Sequence, residues 1–292
     1  MSNEITVYLD TSKLRNLASK SKLDNDWKLL DKFIREKPCS IIISELHAIE
    51  FASGDLQNDK TLQYLSELPV LKWVIDPIRL HKREVEIALN FLLSGNKSKK
   101  IELFYDSLLD SLGKIVPTDI KYSLSQPKNI IEEINIYKKQ RLDLEIKNAL
   151  AQSAQKICEK RNDTRIWHNP NKVLQCAIFD YLPDNTASGF TVPKSEDMAH
   201  QLMKLPSDWI PSLRFINKLQ RIKFGFKNMN ITVNDLIDEY HACYTPYCDV
   251  VMHDKGLCSR ARHTKFEFAN RITATPKEIF SILNEIADNE KK

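Results

Sequence analysis

Between Asn234 and His263 the chain carries five carboxylates, Asp235, Asp238, Glu239, Asp249 and Asp254, around the short apolar run Val250-Val251-Met252. Like charges at that density beside a buried strand repel one another unless a cation or a shared proton holds them. Two more acids sit at comparable places near the other end of the chain. Asp10 closes the run Ile5–Leu9, and Glu45 follows Ile41-Ile42-Ile43-Ser44. Carboxylates converging from separate strand ends are what a Mg²⁺ or Mn²⁺ site requires, because hard cations prefer carboxylate oxygen and retain part of their water shell. Such cations activate water, screen phosphate and stabilise a leaving oxygen, the needs of phosphodiester hydrolysis. Each acid also has an ordinary use. Asp10 suits a turn or cap, Glu45 suits the positive end of a helix, and Asp249 suits the turn into its strand.

Other residue sets point to other chemistry. Cys243, Cys248, His253, Cys258 and His263 recur every five residues, with His241 nearby. Cysteine and histidine are zinc ligands, so a zinc-binding module is an alternative, although no CxxC knuckle is present and buried thiols pack well as small core groups. His241 and His253 could also touch substrate or ordered water. Lys218, Arg221, Lys223 and Lys227 interleave with Phe224 and Phe226. Bases mixed with aromatics can grip phosphates and stack on unpaired bases, or simply form the solvated face of an amphipathic helix. The loop Asn96–Lys100 adds three lysines. The chain has no Walker A loop, GxSxG elbow or HExxH helix, which disfavours a P-loop NTPase, an α/β-hydrolase and a zincin.

The elements that must position these residues follow from periodicity. Ile5–Leu9 reads as a strand, followed by a helix over 13–19 that Thr11 and Ser12 can cap. A helix over 26–36, a buried strand at 41–43, a helix from Glu45, a helix over 62–68, a strand over 70–75 and a helix over 81–93 come next. This alternation argues a parallel α/β sheet. Strand character then fades. Helices are expected over 101–112, 130–159, 173–181, 195–205 and 210–224. A helix capped by Asn234 puts Asp235 and Asp238 on one face. The strand at Val250, a helix from Leu257, a short strand near 266–273 and a helix over 277–287 complete the chain. The expected fold class is α/β, a parallel sheet flanked by helices and interrupted by a long, mainly helical insertion. Residues 1–93 and 231–292 would form the α/β domain and 94–230 the insertion.

Composition sets the outer bounds. With 292 residues, 42% of them hydrophobic, and six glycines, the chain can bury a substantial core and is not of low complexity. A net charge of +4 permits a polyanionic partner without requiring one. The amino terminus has no signal-peptide pattern and no apolar run reaches the length of a membrane span, so a cytoplasmic protein with reduced thiols is expected, with no membrane partner.

The order of these features resembles the PIN-domain nuclease family, over roughly residues 4–93 and 231–288. The matching segments are VYLDTS, IIISELHAIEF, NDLIDEYHA followed by CDVVMHDKG, and ANRITATPKEIFSIL. The resemblance implies a metal-dependent endonuclease that acts on RNA rather than DNA. Asp10, Glu45, Asp238 or Asp235, and Asp254 would hold Mg²⁺ or Mn²⁺. Asp249 is a weaker member of that set, and Ser12 or Thr11 would orient Asp10 or the phosphate. The helical middle is longer than a compact member of that family needs. It would select the substrate or hold a regulatory protein partner or a second copy of the chain. A scaffold of the same fold that binds RNA or protein without cutting is the other implication.

Overall fold

The computed structural model describes residues 4–21, 23–95, 97, 101–112, 129–183, 194–225 and 230–289. The chain divides into two compact units. One comprises Met1–Asp76, Leu103–Asn148 and Tyr247–Lys292, the other Pro77–Glu102 and Ala149–Pro246. Residues 77–93 and 231–246, read from sequence with the α/β part, therefore cluster with the helices. Residues 103–148 cluster with the sheet.

The first unit is built on six strands: β1 (Ile5–Leu9), β2 (Cys39–Ser44), β3 (Leu71–Val74), β4 (Phe104–Tyr105), β5 (Val250–Met252) and β6 (Ile272–Thr273). Their order is β4-β3-β2-β1-β5-β6, and every neighbouring pair is parallel except β3 with the edge strand β4. Tyr8, Leu9, Ile41, Ile42, Ile43, Val250, Val251 and Met252 are all fully buried. Consecutive strand residues point to opposite faces, so burial of every one means that both faces are covered, as parallel sheets require. The helices Asn25–Glu36 and Pro276–Asn289 pack together through Phe33 and Phe280, whose rings meet edge-on at 6.0 Å. Among the described residues no helix is long and apolar enough to cross a membrane.

The direction of winding fixes where a ligand would bind. From β1 the chain first moves outward through β2 and β3, and later returns to the other side of β1 through β5 and β6. The crevice between β1 and β5, at their carboxyl ends, is thus the topological switch point, the usual ligand position in open α/β sheets.

The second unit is helical. The helices Pro77–Ser94, Pro170–Tyr181, Glu196–Met203 and Pro211–Lys223 share a core that includes Val85, Leu89, Ile178, Leu202, Trp209 and Leu213. Phe91 stacks on Trp209 with centroids 4.2 Å apart. The Pro211–Lys223 helix has no side-chain cap of its own. Buried Glu84 replaces it, accepting from Ser212 N at 2.8 Å and Leu213 N at 3.0 Å.

Local expectations fail in four places. The helix expected over 101–112 is instead β4 followed by the short helix Leu108–Leu112. Two residues of edge strand carry no periodicity, and Glu133 stabilises the turn by accepting from Trp73 Nε1 and Leu108 N. The helix expected over 130–159 breaks into Ile130–Lys139 and Leu142–Asn162, with Arg141 left-handed at φ 58°. Residues 269–271 form a 3₁₀ turn, so the last strand is only Ile272–Thr273. Finally, Asp10 and Thr232, not Thr11 or Ser12 and Asn234, are the N-caps of their helices.

Candidate metal centre

Parallel register places the centre. Val7, Tyr8 and Leu9 pair with Val250, Val251 and Met252, so the next residues, Asp10 and His253, emerge at the same level. Asp10 N donates to Met252 O at 3.0 Å, which extends the ladder by one step. His253 Nδ1 lies 3.2 Å from Asp10 Oδ2. A carboxylate only accepts, so Nδ1 carries the hydrogen of this contact. Asp254 completes the cluster: one ligand atom from each of Asp10, His253 and Asp254 lies within 4.8 Å of the others. Asp10 and His253 are buried and Asp254 is exposed, so the group opens to solvent on one side.

Both carboxylates begin helices. Asp10 Oδ1 accepts from Lys13 N at 2.8 Å and from Ser12 Oγ at 2.7 Å. Asp254 Oδ1 accepts from Leu257 N at 3.0 Å. The positive ends of two helix dipoles therefore meet at one crevice, a favourable place for anions. Gly256 keeps the second cap in place. A Cβ there would stand 2.9 Å from Asp254 Oδ1 and 3.4 Å from an Arg260 guanidinium nitrogen. Lys13 reaches over the end of β6, its ammonium 3.1 Å from Ala274 O. Beside Asp254, a depression of about 310 Å³ is lined by Lys255, Ser259, Arg262 and Thr275.

The other acids expected at the site take different positions. Glu45 begins the helix after β2 and is buried, with Oε1 accepting from Tyr137 OH at 2.8 Å. It lies outside the close group. Burial and then the Glu45 carboxylate drive the Tyr137 phenol far up, and Asp143 and Asp76 act in the same direction. Asp76, buried just beyond β3, is an acid absent from the set expected at the site. Its signal was the one used for Asp10, an acid at the carboxyl end of a strand. Asp249 sits at the opposite, amino-terminal end of the strands, where Oδ2 accepts from Thr6 N and Thr6 Oγ1, both at 2.8 Å. It ties β1 to β5 and is not part of the group. Asp235 and Asp238 belong to the helical unit. Asp235 forms a capping box with Thr232 and pairs with Lys223 at 3.5 Å, while Asp238 is exposed.

Of the two hydroxyls expected near Asp10, Ser12 Oγ donates to Asp10 Oδ1 at 2.7 Å, whereas Thr11 donates to Glu50. His253 joins the acids directly, whereas His241 is buried in the helical unit. Among the described residues of the basic and aromatic stretch, no aromatic ring is exposed. Phe224 is fully buried, and Lys223 pairs with Asp235 and buried Glu239, the latter at 3.4 Å. Lys218 is exposed and Arg221 partly buried. Phe226 and Lys227 lie outside the described residues, as do 96 and 98–100 of the lysine loop.

The cysteine and histidine set does not gather as a zinc site among the described residues. Cys248 is buried before β5, Cys258 Sγ faces His253 O at 3.8 Å, and His263 donates to Ser259 O within its own helix. Burial, with Asp254 adding to it, pushes the Cys258 thiol up to about 12, the reverse of what a thiolate ligand needs. No protein-family model matches the chain, and no curated protein or solved structure is significantly similar to it.

Proposed function

We propose that the chain is a metal-dependent endonuclease acting on RNA. The observation that carries this proposal is the meeting of Asp10, His253 and Asp254 at the switch point of the sheet. Two carboxylates and an imidazole suit a divalent cation, and the residues that would hold it are those three. Bound there, the cation would lower the pKa of a coordinated water and neutralise phosphate charge. An imidazole ligand favours Mn²⁺ over Mg²⁺, which prefers an all-oxygen shell.

The chain's own groups supply the rest. Ser12 Oγ and Lys13 N hold Asp10, and Asp10 in turn holds the His253 ring. Lys13 and Lys255 put positive charge near the open side, where a phosphodiester backbone would lie, while Arg262 is paired with Glu278 at 2.9 Å. RNA as the substrate, and the PIN-like character of the fold, come from the resemblance of the ordered acidic motifs.

Single-stranded RNA and DNA are incubated with the purified protein and Mn²⁺, Mg²⁺ or EDTA. Cleavage of RNA with Mn²⁺, its absence in EDTA, and loss in Asp10→Asn and Asp254→Asn are expected. Equal cleavage by wild type and both variants would sink the proposal, and RNA binding without metal-dependent cleavage would replace it with a non-catalytic scaffold.

A further inference from the structure

Three strand ends stand in a row. Leu9 pairs with Met252 and Met252 with Thr273, so the residues that follow, Asp10, His253 and Ala274, are level across β1, β5 and β6. His253 N donates to Thr273 O at 2.9 Å, which carries that ladder to the height at which Asp10 N meets Met252 O. Neighbouring places in such a row are about 5 Å apart. Asp10 and His253 fill two of them with side chains of the candidate centre. The third, Ala274, presents its backbone carbonyl.

That carbonyl holds an ammonium. Lys13 lies in the first turn of the helix after β1, where its own N–H donates to Asp10 Oδ1. Its Nζ donates to Ala274 O at 3.1 Å. Because β5 lies between β1 and β6, the Lys13 side chain crosses the exit of β5, from which His253 and Asp254 emerge. The anchor is itself fixed. Ala274 N and Thr275 N donate to Glu278 Oε2, at 2.7 Å and 3.1 Å, just before the helix Pro276–Asn289.

Lys13 differs from the other bases nearby. Arg262 is neutralised by Glu278, and Lys255 is exposed on the rim. Lys13 is half-buried, is held by a neutral carbonyl, and pairs with no carboxylate among the described residues. An ammonium has three N–H donors, and this contact uses one. A donor fixed in advance costs no reorganisation when negative charge grows before it.

We infer that Lys13 is a catalytic residue of the endonuclease, its ammonium donating to a non-bridging oxygen of the scissile phosphate. This role rests on the nuclease activity proposed for Asp10, His253 and Asp254, and adds a group that touches the reacting phosphate. In the hydrolysis a water oxygen bonds to phosphorus and the bond from phosphorus to the leaving ribose oxygen breaks. The proton given up by the water ends on that leaving oxygen, and Lys13 transfers none. It meets the charge that builds on the phosphoryl oxygens as the two bonds exchange. The strand's other phosphates also bind, so loss of this one contact falls on turnover more than on affinity.

RNA cleavage in Mn²⁺ is followed for wild type, Lys13→Met, Lys13→Arg and Lys20→Met, with Tm and calorimetric Mn²⁺ affinity for each. Lys20 is exposed in the last turn of the same helix and controls for the loss of one charge. Lys13→Met should lower kcat about 100-fold while KM changes by less than about threefold. Its Tm and Mn²⁺ affinity should hold, since the ammonium is no metal ligand and its carbonyl partner is half-buried. Lys13→Arg should recover part of kcat, and Lys20→Met should cleave like wild type. Three results would overturn the role of Lys13 and leave the nuclease proposal standing: cleavage by Lys13→Met within about threefold of wild type, an equal loss in Lys20→Met, or loss of fold or Mn²⁺ binding along with cleavage. No Mn²⁺-dependent cleavage by wild type would overturn both.

Discussion

Replacing Asp249 and Asp10 separately distinguishes the two ends of one pair of strands. Asp249 precedes β5 and His253 follows it, four residues on, which at strand rise is roughly 13 Å. Asp249 Oδ2 accepts from Thr6 N and Thr6 Oγ1 at 2.8 Å each, and Asp249 N donates to Thr6 O at 3.1 Å. Asp249→Ala leaves the backbone bond but strands the Thr6 amide and hydroxyl in a partly buried position. Orphaning such donors costs about 1–3 kcal/mol each when buried, and partial exposure brings the sum to about 2 kcal/mol. For a unit of this size that lowers Tm by roughly 4–8 °C. Mn²⁺ affinity should be unchanged. Asp10→Asn should instead abolish Mn²⁺ affinity. Asparagine keeps the cap through its oxygen, but its amide nitrogen replaces the acceptor of His253 Nδ1, so Tm should also fall by the worth of one buried hydrogen bond, about 1 kcal/mol or roughly 2–4 °C. Differential scanning calorimetry and Mn²⁺ titration calorimetry on both variants read the two quantities. Loss of Mn²⁺ binding in Asp249→Ala with an unchanged Tm would refute the assignment of the two strand ends.

Gly256→Ala should weaken Mn²⁺ binding without unfolding the chain, because its Cβ would press on Asp254 Oδ1 at 2.9 Å; unchanged affinity would show that the cap yields freely. Glu84→Ala should cost the helical unit about 2–5 kcal/mol in urea denaturation by orphaning the amides of Ser212 and Leu213, and Glu84→Gln, which keeps one acceptor oxygen, should cost less. Burial depresses the His81 imidazole to about 3, so only the unfolded chain takes up that proton as pH falls below its usual value near 6.5. His81 thus contributes full stability above pH 6.5 and loses it toward the folded value, by about 1.4 kcal/mol per pH unit. The stability advantage of wild type over His81→Gln should therefore shrink by about 2 kcal/mol between pH 7 and pH 5, and a constant difference would contradict the buried, neutral ring.

The sheet was legible because each buried strand is a short β-branched run ending in a polar residue. Asp10 and Asp254 stood out by that ending only together with the order of the other acidic motifs along the chain. His253 was visible as a histidine at a strand end, but its role depends on β1 and β5 being neighbours, which no local pattern encodes across the intervening chain. Asp249 was misplaced for a reason available in the sequence. It enters its strand, and in a parallel sheet all entrances lie at the end away from all exits. Glu45 stands at the expected junction, yet its principal partner, Tyr137, comes from a helix 92 positions later. β4 and the break at Arg141 left no trace, since the first is two residues of edge strand and the second puts a non-glycine in the left-handed region.

That Asp10 and Asp254 are N-caps does not make them only caps. A cap uses one carboxylate oxygen as an acceptor, and an ionised carboxylate has about four acceptor positions. Capping occupies Oδ1 of each residue, while Asp10 turns Oδ2 toward His253 across the strand pair. Serine, threonine or asparagine would cap either helix as well. What capping leaves unexplained is the choice of two charged residues, at the ends of adjacent strands, with an imidazole beside them. Each cap also supplies rigidity, because a carboxylate fixed by a helix amide loses little further freedom when it takes a ligand. The two helix starts therefore act as the supports of the centre, and the strands set its spacing.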